Sequence, residues 1–275
     1  MTDPRAFRSG KVPAVTLVFW IIKIGATTLG ETGGDAVSMS LGLGYAIGTA
    51  IFFAFFAVTV WAQIAARRFH APLYWLVIVA TTTAGTTMAD FCDRSLGVGY
   101  LGGSLILSAL LAATLALWWR TEGTVSVDNI TSPRVEMFYW ATILFSNTLG
   151  TALGDWLADT GGLGYEGGAL VFGAGLLILA GLYAFTSVSR TALFWSAFIL
   201  TRPLGATVGD LLTKPHANGG LDLSRYSSSA VLAAFIVAMV LFTPQRAGGH
   251  PGARSRASRA PAGFPLRGAH STRAG

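Results

Sequence analysis

The sequence predicts an all-α membrane protein of about eight transmembrane helices, arranged as four parallel helical-hairpin repeats. Three observations carry this. The chain is 52% hydrophobic and only 12% charged, roughly half the charged fraction of a soluble domain, with a mean hydropathy of +0.57. Apolar runs long enough to cross a bilayer, which takes about 20 residues, recur along it. Finally, one spacing of tryptophan, glycine and aspartate occurs four times: Trp20, Gly30, Asp35; Trp75, Gly85, Asp90; Trp140, Gly150, Asp155; Trp195, Gly205, Asp210. A recurring unit of this kind is an internal repeat.

Each tryptophan follows another aromatic residue: Phe19, Tyr74, Tyr139 or Phe194. Three copies run on into a Gly-x-Gly-Tyr turn, at Gly42 to Tyr45, Gly97 to Tyr100 and Gly162 to Tyr165, whereas the fourth has a longer polar stretch, Lys214 to Tyr226. The expected order is an N-terminal tail (1–11), repeat 1 (12–66), repeat 2 (67–119), a connector (120–134), repeat 3 (135–189), repeat 4 (190–243) and a basic tail (244–275). The expected spans are 12–34, 45–66, 72–91, 100–119, 135–157, 167–187, 191–212 and 228–242.

Lysine and arginine set the orientation, because cytoplasmic loops carry their excess. Arg5, Arg8, Lys11, Arg67, Arg68, Arg120, Arg134, Arg190 and the tail arginines fall on one side; Arg94, Lys214 and Arg225 fall on the other. The reading is a multi-pass membrane protein with both termini cytoplasmic. No short apolar core with a cleavage site marks a removable leader at the N-terminus. The tail is rich in Arg, Gly, Ala, Pro and Ser and is expected to be disordered. Its arginines suit contact with anionic lipid, although a merely solvated tail is the simpler reading. The basic residues sit where topology puts them, so the net charge of +6 gives no reason to expect nucleic acid as a partner.

Residues four apart on a helix share a face, and counting back from each aspartate gives a polar stripe. The first repeat has Lys23, Thr27, Glu31 and Asp35; the second Ile78, Thr82, Thr86 and Asp90; the third Ile143, Asn147, Thr151 and Asp155; the fourth Phe198, Arg202, Ala206 and Asp210. The even spans have no such stripe, so the odd helices should line an interior and the even ones should face lipid. Asp, Glu, Asn and Thr are hard oxygen donors, suited to Mg, Ca or Mn, to sodium or to a proton. The candidate cation or proton site is Asp35, Asp90, Asp155 and Asp210, the four metal ligands, supported by Glu31, Asn147, Thr86 and Thr151. Arg202 and Lys23 are internal counter-ions, with Glu31 the first candidate partner of Arg202 and Lys23 close enough to the inner interface to snorkel. Asp155 with Asp159, and Asp90 with Asp93, form further acid pairs.

Gly30, Gly85, Gly150 and Gly205 are candidates for close helix packing. A breaking of the odd helices near the Gly-x4-Asp step would fit a transporter. The plain structural alternative makes each aspartate a helix cap and the stripe packing glue. The single cysteine, Cys92, and the few histidines offer no soft-metal or haem site. A retinal protein would need a lysine deep in a late span, where Arg202 and Pro203 stand. Walker, Ser-His-Asp and metalloprotease patterns are missing, so no enzyme and no resident cofactor is expected.

The Gly-Thr-x3-Asp segments at 85–90 and 150–155, with the Gly-Leu-Gly-Tyr turns, resemble a bacterial family of predicted membrane-anchored proteins. That family is built from four copies of a short repeat of unknown function; the resemblance covers about residues 13–243. The Gly-Glu-Thr-Gly-Gly-Asp at 30–35 is loosely similar to the Glu-x-Gly-Asp signature of manganese–calcium-type cation/proton exchangers, with one residue more in the spacing. The expectation is a secondary transporter of a small cation of the divalent Mn, Mg or Ca type, with proton coupling as one option. The alternatives are a non-transporting membrane anchor or assembly partner, and a carrier of small organic cations. Oligomeric state is not read from the sequence.

Overall fold

A computed structural model describes residues 10–127, 130 and 132–248. Among them are eight long helices: α1 (Leu17–Asp35), α2 (Gly44–Ala65), α3 (Ala71–Asp90), α4 (Gly99–Glu122), α5 (Pro133–Asp155), α6 (Gly164–Phe185), α7 (Arg190–Thr213) and α8 (Arg225–Phe242). The described residues contain no strand, only an isolated antiparallel bridge between Pro13 and Ala247.

Local chemistry sets the boundaries. Thr16, Ser132 and Ser189 cap α1, α5 and α7, each side-chain oxygen accepting a hydrogen bond from a backbone N–H in the first turn, which satisfies a donor the helix itself cannot. A proline opens both α3 and α5, where its missing N–H costs nothing. The expectation of a first span from residue 12 fails, because residues 12–14 pair with the far end of the chain. Ala14 N–H donates to the Arg246 carbonyl at 2.9 Å and Gly248 N–H to that of Val12 at 2.8 Å.

The odd helices do not break at the Gly-x4-Asp step, as the transporter analogy suggested. They run unbroken through both residues, and in the first three copies widen just beyond the aspartate into one π-helical turn, at Ala36–Ser40, Phe91–Ser95 and Trp156–Thr160. Nor do these three aspartates cap anything. Asp35, Asp90 and Asp155 have helical backbone angles and make no side-chain capping bond. The Gly-x-Gly turns then reverse the chain; both glycines of each, such as Gly42 (φ 67°) and Gly44 (φ 75°), lie in the left-handed region that side chains disfavour.

The odd helices pack as a closed ring, α1 on α3, α3 on α5, α5 on α7 and α7 on α1. The even helices stand outside it, and the hairpins are open. Within each of the first three repeats the two helices meet mainly at the π turn, while α2 packs on α3, α4 on α5, α6 on α7 and α8 on α1. Each repeat therefore lends its second helix to the next, and the last lends it to the first. Four helices, α2, α4, α6 and α8, are long and apolar enough to cross a membrane. They present Ile47, Trp61, Leu105, Leu177 and Phe242 outward. The stripe lowers the hydropathy of the odd helices, which are enclosed.

The connector and the tail also depart from expectation. Val127 and Ile130 are buried and the Val125 carbonyl accepts from Trp195 Nε1 at 3.0 Å, so these described residues of the connector pack into the core. Gln245, expected in a disordered tail, accepts from Trp75 Nε1 at 3.2 Å. The remaining tail, 249–275, and the first nine residues lie outside the described residues.

Candidate functional site

At the N-terminal end of the ring, each residue preceding a repeat tryptophan meets the tryptophan of the next copy. Ring centroids are 5.3 Å apart for Phe19 and Trp75, 5.6 Å for Tyr74 and Trp140, 6.1 Å for Tyr139 and Trp195, and 5.8 Å for Phe194 and Trp20. The Tyr74 and Tyr139 hydroxyls share a hydrogen bond of 2.7 Å. This aromatic layer closes one end.

Above it the helices touch through their glycines. A Cβ on Gly30 would overlap Thr82, one on Gly85 would crowd Asn147 and Thr148, one on Gly150 would overlap Arg202, and one on Gly205 would overlap Thr27. The contact is the same in all four copies and passes from copy 4 to copy 1. A second small residue one turn on, Gly34, Ala89, Gly154 or Gly209, completes a small-x3-small seam. A side chain at Gly34 would crowd Thr86, and at Gly209 would crowd Glu31. The reading of the sequence missed this second seam residue, although its four-residue spacing is the usual signal. Close approach lets threonines bond across helices: the hydroxyls of Thr82, Thr86 and Thr27 donate to the carbonyls of Ala26, Gly30 and Thr201, each at 3.1 Å.

Every stripe residue faces inward and is at most 3% exposed. Lys23 does not reach an interface. Its ammonium donates to Asn147 Oδ1 at 3.3 Å and lies 4.1 Å from the centre of the Phe198 ring, with no carboxylate at ion-pair distance among the described residues. The expected snorkelling fails because this position faces the ring axis. Asn147 in turn donates to Thr81 at 3.0 Å. One turn higher, Arg202 Nη2 meets Glu31 Oε2 at 2.9 Å, Thr151 Oγ1 at 2.6 Å and Thr86 Oγ1, while Nη1 donates to the Thr27 carbonyl at 3.4 Å. Arg202 thus ties all four odd helices together. Thr86 and Thr151, expected to support a cation at the aspartates, accept from Arg202 through their hydroxyl oxygens.

At the far end, each of the four aspartates has a cationic partner within the chain. Arg94 Nε is 2.9 Å from Asp90 and its Nη2 is 3.1 Å from Asp155. Lys214 Nζ is 2.8 Å from Asp35 and 3.1 Å from Asp210, and Arg225 stands 3.6 Å from Asp35. Arg94 and Lys214 each sit four residues after their own aspartate and reach back to it, then bridge to the next copy. Repeats 1 and 3 have Met39 and Asp159 at that position, so the ring alternates with twofold symmetry. Burial disfavours the Lys214 charge, but Asp210 and Asp35 outweigh it and hold its pKa well above the ordinary lysine value. The sequence reading put Arg94 and Lys214 in outer loops only; the i,i+4 spacing was the available signal.

The four aspartates do not form one cluster. Carboxylate oxygens of Glu31, Asp35 and Asp210 lie within 4.8 Å of one another, while Asp90 and Asp155 are joined by Arg94. Asp159 accepts from Tyr100 at 3.2 Å, and Asp93 is buried with Oδ1 lacking a hydrogen bond.

Fold and site together define a fourfold-repeat helical bundle with an ion-paired carboxylate ring at one end. The chain belongs to the family described as Repeat of Unknown Function (DUF347), whose model matches at residues 18–69, 73–124, 138–189 and 193–243. No curated protein and no solved structure matches it.

Proposed function

We propose that the protein spans a bacterial inner membrane eight times, with both termini cytoplasmic, and carries a small cation of the divalent Mn, Mg or Ca type. Helices of 18 to 24 residues are about 27–36 Å long, a match to a hydrocarbon core of about 30 Å. The four apolar helices and the lipid-like exposure of their Leu, Ile and Phe side chains support the bilayer as the principal partner, with anionic lipid beside the basic tail and no role for nucleic acid. The enclosed odd helices cross with them, their polar stripe turned away from lipid.

One observation carries the cation reading. Glu31, Asp35 and Asp210 are buried with an oxygen each inside a 4.8 Å circle, and ligand distances of about 2.3–2.6 Å place oxygens across a calcium-sized ion up to about 5 Å apart. Proton coupling is part of the proposal and rests on the same carboxylates. The test is a total-metal profile of cells overproducing the protein, compared with cells making Asp35→Asn at equal membrane expression. A change in one divalent ion that vanishes in the variant supports the carrier; flat profiles for both count against it.

A second reading has its own observation: each of the four aspartates already has a cationic partner within the chain, with Asp90 and Asp155 sharing Arg94. On that reading the protein is an anchor or assembly partner and the network holds it together. Glue tolerates Asp210→Asn, which still forms hydrogen bonds; a cation site at Glu31, Asp35 and Asp210 does not.

A further inference from the structure

The two halves of the carboxylate ring follow one plan but are not equivalent. Resting on the cation reading above, we infer that Lys214 and Arg225 are tethered stand-ins for one divalent cation at Glu31, Asp35 and Asp210, whereas Asp90–Arg94–Asp155 is a fixed clamp.

Four observations carry this. The first is charge. Both Lys214 and Arg225 converge on the same atom, Asp35 Oδ2, at 2.8 and 3.6 Å. A divalent ion that displaces both keeps the formal charge of the cluster, with Arg202 still holding Glu31. A monovalent ion would leave it one positive charge short, and charge buried without compensation is strongly disfavoured.

The second is a spare ligand. Asp35 is 1% exposed, and its Oδ1 is buried without a hydrogen bond while Oδ2 serves both cations. The third is the third acid. Glu31 stands beside the Lys214 half; the same stripe position next to the Arg94 half is Thr86 or Thr151, whose hydroxyls are engaged by Arg202.

The fourth is freedom to leave. Arg94 grips with two nitrogens of a planar fork, lies 5.8 Å from the Tyr100 ring centre and sits in the π turn that leads into α4. Lys214 offers a single ammonium. Its backbone is past the end of α7 in an extended conformation (φ −76°, ψ 153°), held by its N–H to the Asp210 carbonyl at 2.8 Å and by Asp222 N–H to its own carbonyl at 2.9 Å, so withdrawal is a movement of the side chain alone. Arg225 lies at the start of α8 with its side chain 22% exposed, against 8% for Lys214 and 30% for Arg94, so the two kinds of cation differ in how many nitrogens they commit and not in access to water. Withdrawn, both charges reach water, and when the ion departs they return and refill the cluster.

The experiment is Mn2+ binding to purified full-length protein in lipid nanodiscs, read from the loss of the free Mn2+ electron paramagnetic resonance signal. Thermal unfolding of each variant checks the fold. Removing a competing charge from Lys214→Gln should tighten Mn2+ by about tenfold or more, and Lys214→Gln/Arg225→Gln should tighten it further. Arg94→Gln should not tighten it. Lys214→Arg, which retains a charge and adds a fork, should weaken binding, and this serves if Lys214→Gln does not fold. Wild-type binding that Lys214→Gln leaves unchanged or weakens, or that Arg94→Gln tightens equally, overturns the stand-in role and leaves the carrier intact. Competition by Na+ as effective as by Ca2+ overturns the divalent class. No Mn2+ binding by any folded variant ends the cation reading itself.

Discussion

The Arg202 guanidinium lies 2.9 Å from the Glu31 carboxylate, joining the last repeat to the first at a depth where neither side chain is more than 3% exposed. Because Arg202 also takes Thr86 and Thr151, this one side chain closes the ring of odd helices. A buried ion pair is costly to form and costlier to break from one side. Glu31→Gln should destabilise by about 3–5 kcal/mol, and Glu31→Gln/Arg202→Gln by less than the two single losses added together. Thermal unfolding in nanodiscs reads both.

Glycines in one helix divide by what surrounds them. Gly30→Ala must push into Thr82, whereas a Cβ on Gly33 meets nothing closer than 3.9 Å. Gly33→Ala should therefore be neutral or stabilising by about 0.5–1 kcal/mol, and Gly30→Ala clearly destabilising. Melting temperatures of the two variants, side by side, decide this; equal effects would mean the seam is not where the helices are held.

The Tyr74–Tyr139 hydroxyl pair tests the aromatic layer. Repeats 1 and 4 have Phe19 and Phe194 at these positions, so the layer accepts phenylalanine. Either Tyr→Phe alone leaves a buried hydroxyl unpaired and should cost about 1–3 kcal/mol. Tyr74→Phe/Tyr139→Phe removes both partners and should cost less than either single change. Chemical unfolding of the three proteins gives the order.

The segments before α1 and after α8 clasp the aromatic layer, with Lys11 Nζ 2.6 Å from Glu136 and Gln245 bonded to Trp75. A chain ending at Gly248 keeps this clasp; one ending at Thr243 loses the backbone pairing of residues 246–248. Only the shorter chain should melt at a lower temperature, and Glu136→Gln in the longer one should lower it as well.

Much of this was legible from the residues alone. The fourfold repeat, the all-helical class and the inward stripe follow from spacing, because helical periodicity decides which residues share a face and an apolar chain must hide its polar ones. Glu31 was the first candidate partner of Arg202 from its place on the stripe, and the packed ring decides for it at 2.9 Å. Partnership between repeats did not follow. Nothing local distinguishes a second helix that folds back on its own first helix from one that packs on the next copy, since both bury the same apolar surface. The i,i+4 spacing could have told that Arg94 and Lys214 reach back to their own aspartates, but not that each also bridges to the carboxylate of the next copy. Helix direction, seam contacts and ring closure bring residues 179 apart, Asp35 and Lys214, to 2.8 Å. Local composition therefore determined the helices and their faces, and the closure of the ring decided which charges meet, because that depends on distances only the packed bundle sets.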